Sequence, residues 1–254
     1  EQIRKINTDN GSLEKLTGMQ YFFPAHWKES EQTINYRRFF TINDMICLKM
    51  GNKEVFDAYH SLIGKLCRED LIRGVRVDHI DGLFNPGLYL EWLRNLIGND
   101  KYLIVEKLLE KDEKLPGAWP VQGTTGYEFG TLLNNLFTRT ENEKPFSKLY
   151  EKWSDEATPY GDLVYEKKRF IIFNRLGGDL DNLMNRCIDL PGIHKRIKNP
   201  GKLREAIAEF LLQCPVYKIY REAAQPQVSR KEFTDRVLKR SAENRPDLKD
   251  EFSV

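Results

Sequence analysis

Cysteine is scarce in this 254-residue chain. Cys47, Cys67, Cys187 and Cys214 are its four, and no two form a C-x-x-C pair. That spacing gives no support to a zinc centre or to thiol redox chemistry. Cys67 and Cys214 sit in apolar helical patterns, where a free thiol acts as a small hydrophobe. A reducing cytoplasm is the expected setting. Long apolar runs are missing as well. None approaches the roughly 20 residues that would span a bilayer, and no signal-like N-terminus is visible. Charge of one sign is not in excess: 40 Lys plus Arg stand against 38 Asp plus Glu, a net +2. Neither nucleic acid nor an anionic membrane is an expected partner. There is no internal repeat and no low-complexity segment. What remains is a globular composition, 40% hydrophobic and 31% charged, with apolar material for one large domain or two small ones.

Residues 1–45 read as irregular, with aromatic clusters at Tyr21-Phe22-Phe23, at Trp27 and at Ile34-Asn35-Tyr36-Arg37-Arg38-Phe39-Phe40. The last cluster interleaves two arginines with aromatics. It is either a strand or loop packed on a core, or a ligand-facing loop, since rings and guanidinium forks suit sugars. Order sharpens after it. Asn52 to Asp70 is an amphipathic helix pattern with Val55, Phe56, Tyr59, Ile63 and Leu66 at helical spacing and Asn52 as cap. Gly74 to Asp78 is a short strand. A second helix opens near Pro86, carries Leu90, Leu93, Leu96 and Ile97 on one face, and stops at Gly98-Asn99. Tyr102 to Glu106 is a second strand. This rhythm is the βαβ pattern of a parallel sheet. A Gly/Pro/Thr-rich loop follows from Leu115 to Tyr127, too long and too aromatic for a plain connector. Beyond it the patterns are helical: Phe129 to Leu136, Leu163 to Leu190 with a break expected at Gly177-Gly178, Lys202 to Gln213, and Lys231 to Arg245. Asn199-Pro200-Gly201 and Gln225-Pro226 mark turns.

The chemistry sits at the two strand ends. Both apolar strands finish in an acid, Asp78 and Glu106, 28 positions apart, close to the roughly 30 residues of one βαβ unit. They therefore occupy equivalent places at the C-terminal edge, where α/β folds keep their active sites. Alternation puts Arg76 and Asp78 on one side of their strand and Val75 and Val77 on the other, with Ile104 and Glu106 matching the first pair. With neighbouring strands about 4.8 Å apart, the carboxylates are expected at roughly 5–6 Å, near the spacing of a retaining glycoside-processing pair. Arg76 beside Asp78 favours the ionised form that a nucleophile needs. An ionised Asp78 in turn helps to keep Glu106 protonated as a general acid. Two plainer readings compete. Asp78-His79-Ile80-Asp81 could ligate a metal, but successive strand residues point apart, so no metal is expected. Asp81 or Asn85 could cap the next helix, a reading that leaves Arg76 and the matched parity unexplained.

Gly74-x-Arg76-x-Asp78 and Glu106 resemble the strand-4 nucleophile and strand-5 acid/base motifs of the α-amylase superfamily of TIM barrels. INYRRFFTIND, RVDHIDGL, VEKLL, LPGAWPVQGTTGYEF and CPVYKIY together resemble one branch, the maltooligosyl trehalose synthases, along residues 12–220. The resemblance implies an activity without cofactor. The reducing-end α-1,4 linkage of a maltooligosaccharide becomes α,α-1,1 by intramolecular transglycosylation, with Asp78 as nucleophile and Glu106 as acid/base. It further implies a cage around the released glucose, for which Arg76, His79, Asp81, Tyr36, Arg37, Arg38, Lys107, Trp119, Thr125 and Tyr127 are the candidates. The superfamily takes a third carboxylate from a later His-Asp motif. Downstream of Glu106 the only histidine is His194, followed by Lys195, and the early Asn-His motif is absent. The chain, which opens on Glu1, therefore reads as an internal piece of a longer enzyme that completes the barrel. The expected fold is α/β: a partial TIM barrel, the strand 4–5 region of a (β/α)8 barrel, over residues 1–137, and a mostly helical insertion over 138–254. Rival readings are a superfamily hydrolase or 4-α-glucanotransferase, and a non-catalytic glucan-binding module.

Overall fold

The computed structural model describes residues 2–22, 25–111, 113–154, 158–193, 195–220 and 230–253. Phe23, His194 and the Gln225-Pro226 turn lie outside the described residues. In chain order the elements are α1 (Gln2–Thr8), α2 (Asn10–Gly18), α3 (Ser30–Thr33), β1 (Arg38–Phe39), β2 (Ile42–Ile46), α4 (Lys53–Arg68), β3 (Gly74–Val77), α5 (Pro86–Ile97), β4 (Tyr102–Val105) and β5 (Gly123–Thr124). They continue with α6 (Tyr127–Leu136), α7 (Glu143–Trp153), α8 (Tyr160–Asn174), α9 (Gly177–Ile188), α10 (Pro200–Gln213) and α11 (Arg230–Asn244). The result is a mixed α/β chain, mostly helical, with small sheets. No described helix is long and apolar enough to cross a membrane.

The residues divide into two compact units, Glu1–Cys47 with Lys167–Pro200, and Leu48–Glu166 with Gly201–Val254. Residue 137, where the sequence suggests a boundary, lies inside the second.

The first unit corrects the reading of residues 1–45 as irregular. Two helices form there, and Asp9 caps α2 by accepting from the Gly11 and Ser12 amides. Neither helix has a buried residue, so no apolar stripe announces them. Within the aromatic cluster, Arg38 and Phe39 pair antiparallel with β2. The break within 163–190 also moves. It falls at Arg175-Leu176, while Gly177 and Gly178 open α9. Their role is close approach: a Cβ on Gly177 would meet Gln32 Oε1 at 2.6 Å, and one on Gly178 would meet the Ile34 carbonyl at 3.0 Å.

The second unit follows the sequence closely at its centre. Asn52 caps α4 through the Glu54 and Val55 amides. Asn85 caps α5 through the Leu88 amide at 2.8 Å, with Pro86 at its first position. β3, β4 and β5 form one parallel sheet in that order. The third strand was not legible in the 115–127 loop, because two residues are too few to show alternation. Arg94 of α5 fixes it. This buried guanidinium donates to the Pro120 carbonyl at 3.0 and 2.8 Å and to Gln122 Oε1 at 3.0 Å. The same Gln122 oxygen accepts from the Leu103 amide at 2.7 Å. In α10, Leu203, Ala206, Ala208 and Leu212 are buried and Leu211 is exposed.

Ile80, Leu90, Leu93, Leu103 and Val105 form the heart of the core between the sheet and α4–α5. Leu103 is fully enclosed, so Leu103→Ala leaves a cavity and is expected to cost about 2–5 kcal/mol, read as a lower urea midpoint for the chain. At the rim, a hydrogen bond from Lys101 holds the Asp70 carboxyl below the usual carboxylate range. A depressed folded value stabilises above the unfolded value near pH 4, and that stability is lost as pH falls. Asp70→Asn is expected to flatten the fall in urea midpoint between pH 5 and pH 3.

Candidate active site

β3 and β4 end side by side. The ladder pairs Arg76 with Ile104 and Val77 with Val105. The Glu106 amide donates to the Val77 carbonyl at 2.7 Å, so Asp78 and Glu106 leave adjacent strands at one level. Val77 turns into the core, while Arg76 on the opposite face is half exposed. Arg76 Nη2 lies 2.8 Å from Asp78 Oδ1 and 3.3 Å from Glu106 Oε1. One nitrogen in reach of both keeps those two oxygens within about 6 Å of each other, against the roughly 5–5.5 Å of a retaining pair. The Asp78 side chain is 59% exposed, so a ligand can reach it.

After Asp78 the chain turns sharply. His79 has φ 48°, a left-handed conformation that is uncommon for a residue with a Cβ. The strand therefore ends sooner than its sequence pattern suggests, and Ile80–Gly82 forms a 3₁₀ turn. The turn aims the His79 amide at Glu106 Oε2, 2.9 Å away. The His79 ring lies over Gly82, where a Cβ would meet its Cδ2 at 2.5 Å. Tyr217, itself exposed, stands edge-on to the same ring with centroids 6.1 Å apart.

Asp81 does not cap the following helix; Asn85 does. Asp81 Oδ2 accepts from Lys107 Nζ at 3.1 Å, and its Oδ1 accepts from the Tyr220 hydroxyl. The Asp81 carbonyl accepts from Lys218 Nζ at 3.1 Å. The Lys107 side chain, beyond the end of β4, is 0% exposed. Its Nζ also lies 2.8 Å from Glu113 Oε1, an ion pair whose angles fall short of a hydrogen bond. The Tyr220 ring faces the same ammonium with its centroid 5.6 Å away. Burial first, and then the Asp81 carboxylate, push the Tyr220 phenol well above its usual range, which keeps it a hydrogen-bond donor.

The other candidates spread out. Trp119 is buried, edge-on to Tyr220 with centroids 5.0 Å apart. The Thr125 amide extends the β5 ladder to the Val105 carbonyl at 3.0 Å. Its hydroxyl is buried with no hydrogen-bond partner among the described residues. Tyr127 opens α6 and is half exposed. Tyr36, Arg37 and Arg38 belong to the first unit. There the Tyr36 hydroxyl donates to the Asn43 carbonyl at 3.0 Å, and the Arg37 carbonyl accepts from the Cys47 amide at 2.9 Å. Buried Arg38 donates to Asn43 Oδ1, to the Thr41 carbonyl at 3.3 Å and to the Arg175 carbonyl at 3.4 Å. Sequence reasoning missed Tyr217, Lys218 and Tyr220 as neighbours of the DHIDG turn, and Glu113 as the second partner of Lys107. The CPVYKIY stretch carries three of them, but nothing local ties it to a turn 139 residues upstream.

No family model matches the chain. A curated Mycobacterium tuberculosis protein named putative maltooligosyl trehalose synthase is 35% identical over 169 residues, which is 66% of this chain and 22% of that protein. The solved maltooligosyltrehalose synthase of Arthrobacter ramosus superposes with a TM-score of 0.84 at 26% identity, over 97% of this chain and 30% of that one. A hypothetical maltooligosyl trehalose synthase of Sulfolobus tokodaii gives 0.73 at 31% identity, over 98% and 31%. The chain thus spans less than a third of the length of the relatives it matches. By sequence and by fold, it is a homologue of a segment of the maltooligosyl trehalose synthases.

Proposed function

We propose that this segment supplies the nucleophile and the acid/base of a maltooligosyl trehalose synthase. The observation that carries this reading is the single Arg76 nitrogen set against both carboxylates at the ends of adjacent parallel strands. Asp78 attacks the anomeric carbon of the penultimate glucosyl unit. Glu106 protonates the departing O4 as that carbon–oxygen bond breaks, leaving a glycosyl ester on Asp78 and a free glucose. The glucose turns and presents its anomeric hydroxyl. Glu106 takes that proton, the oxygen attacks the ester-bound carbon, and Asp78 is released. Two inversions retain the α configuration and create the α,α-1,1 linkage. Water must be kept out and the glucose held between the two steps. His79, Thr125 and Tyr127, which stand around the same strand edge, are proposed for that holding. A reducing cytoplasm suits the free thiols of Cys47, Cys67, Cys187 and Cys214.

In the same reading β3, β4 and β5 are consecutive strands of a (β/α)8 barrel that the rest of the parent enzyme completes with the third carboxylate. Two measurements test this. The enzyme that carries the segment, given maltopentaose, is expected to form non-reducing trehalosyl ends; free glucose or disproportionated chains instead would make it a hydrolase or a glucanotransferase. The 254-residue chain by itself is expected to be silent in the same assay, and turnover at ordinary enzyme rates would defeat the partial-barrel reading.

A further inference from the structure

The buried side of the site holds groups that this chemistry does not use. Glu106 and Lys107 are neighbours just beyond the end of β4, and both grip the turn that follows Asp78. Glu106 Oε2 accepts the His79 amide at 2.9 Å, and Lys107 Nζ reaches Asp81 Oδ2 at 3.1 Å. Residues 79–81 and 106–107 therefore close a ring of covalent and hydrogen bonds, and the Glu106 carboxylate is a member of it. Tyr220 pins the same ring from 139 residues downstream through Asp81 Oδ1. Glu113, 2% exposed, supplies the second negative charge beside Lys107.

Burying an ammonium with two carboxylates is a poor route to stability, because apolar residues of similar volume often do as well. What such an arrangement adds is direction. We propose that Lys107 and Tyr220 are positioning residues, which act through Asp81 to fix the turn whose His79 amide aims the Glu106 carboxylate. The proposal rests on the reading of Glu106 as the acid/base. It removes Lys107 and Asp81 from the sugar cage, since the Lys107 side chain is wholly enclosed by protein.

Tyr220→Phe, in the enzyme that carries the segment, deletes one hydroxyl and keeps the ring against Trp119 and Lys107. The expected result with maltopentaose is a kcat about ten- to a hundred-fold lower, the scale of a small misplacement of a catalytic group, at unchanged KM. Lys107→Met is expected to give the same pattern; if it does not fold, Tyr220→Phe decides alone. A raised KM at unchanged kcat would make these residues substrate contacts. A lower unfolding temperature with both constants unchanged would make them structural only. Either outcome overturns the proposal. Glu106→Gln is measured alongside. Full trehalosyl formation by that variant would remove the acid/base reading and this proposal with it. A dead Glu106→Gln beside an unimpaired Tyr220→Phe would sink the positioning proposal alone.

Discussion

Asp78→Asn, in the enzyme that carries this segment, is expected to lower the rate of trehalosyl formation by on the order of 10⁴–10⁶-fold, the scale of removing a covalent nucleophile. Asparagine keeps the shape of the side chain and a carbonyl oxygen for Arg76 Nη2, which now lies 2.8 Å from Asp78 Oδ1. The loss therefore reports chemistry rather than folding. Glu106→Gln is expected to lose about 10²–10⁴-fold. The two variants separate with a substrate whose leaving group needs no proton, such as a glucosyl fluoride. Glu106→Gln should then form the glycosyl ester at a restored rate, while Asp78→Asn forms none. If both variants recover equally, or neither loses rate, the roles assigned at the two strand ends are wrong, and a glucan-binding module becomes the better account.

The second large effect is on stability. Lys107→Met leaves Asp81 and Glu113 facing each other without the cation that lies 3.1 and 2.8 Å from them. Both carboxylates have little or no contact with water, at 10% and 2% exposure. Breaking a buried pair from one side is expected to cost about 3–5 kcal/mol, measured as a shift in the urea midpoint of the 254-residue chain at constant slope. Adding Glu113→Gln to Lys107→Met is expected to restore part of the loss, because the group left unpaired is then neutral. A double variant no more stable than the single one would mean that Glu113 is not stabilised by Lys107.

How much of this was legible in the sequence depends on whether the signal is local. Asn52 and Asn85 announce their helices because a cap acts on amides two or three residues away. The 28-residue spacing of Asp78 and Glu106 reports a βαβ unit because one strand, one crossover helix and the next strand have nearly fixed lengths. Alternation gives Arg76 and Val77 their faces for the same reason. Where the signal is short or distant, sequence reasoning fails. β5 has two residues, below the length at which a period can be seen. α1 and α2 bury nothing, so no stripe marks them. Gly177 and Gly178 resemble a helix break, but close packing against Gln32 and Ile34 explains them better.

The sequence by itself determined that two carboxylates end neighbouring parallel strands, with an arginine on the same face as the first. That follows from the two-residue period of a strand and the length of a crossover. Only the tertiary structure decided what surrounds them. It put His79 in a left-handed turn against Glu106, enclosed Lys107 between Asp81 and Glu113, and brought Tyr220 to Asp81 across 139 residues. Buried charge is what makes those contacts specific, and no pattern along the chain records which distant group will neutralise it.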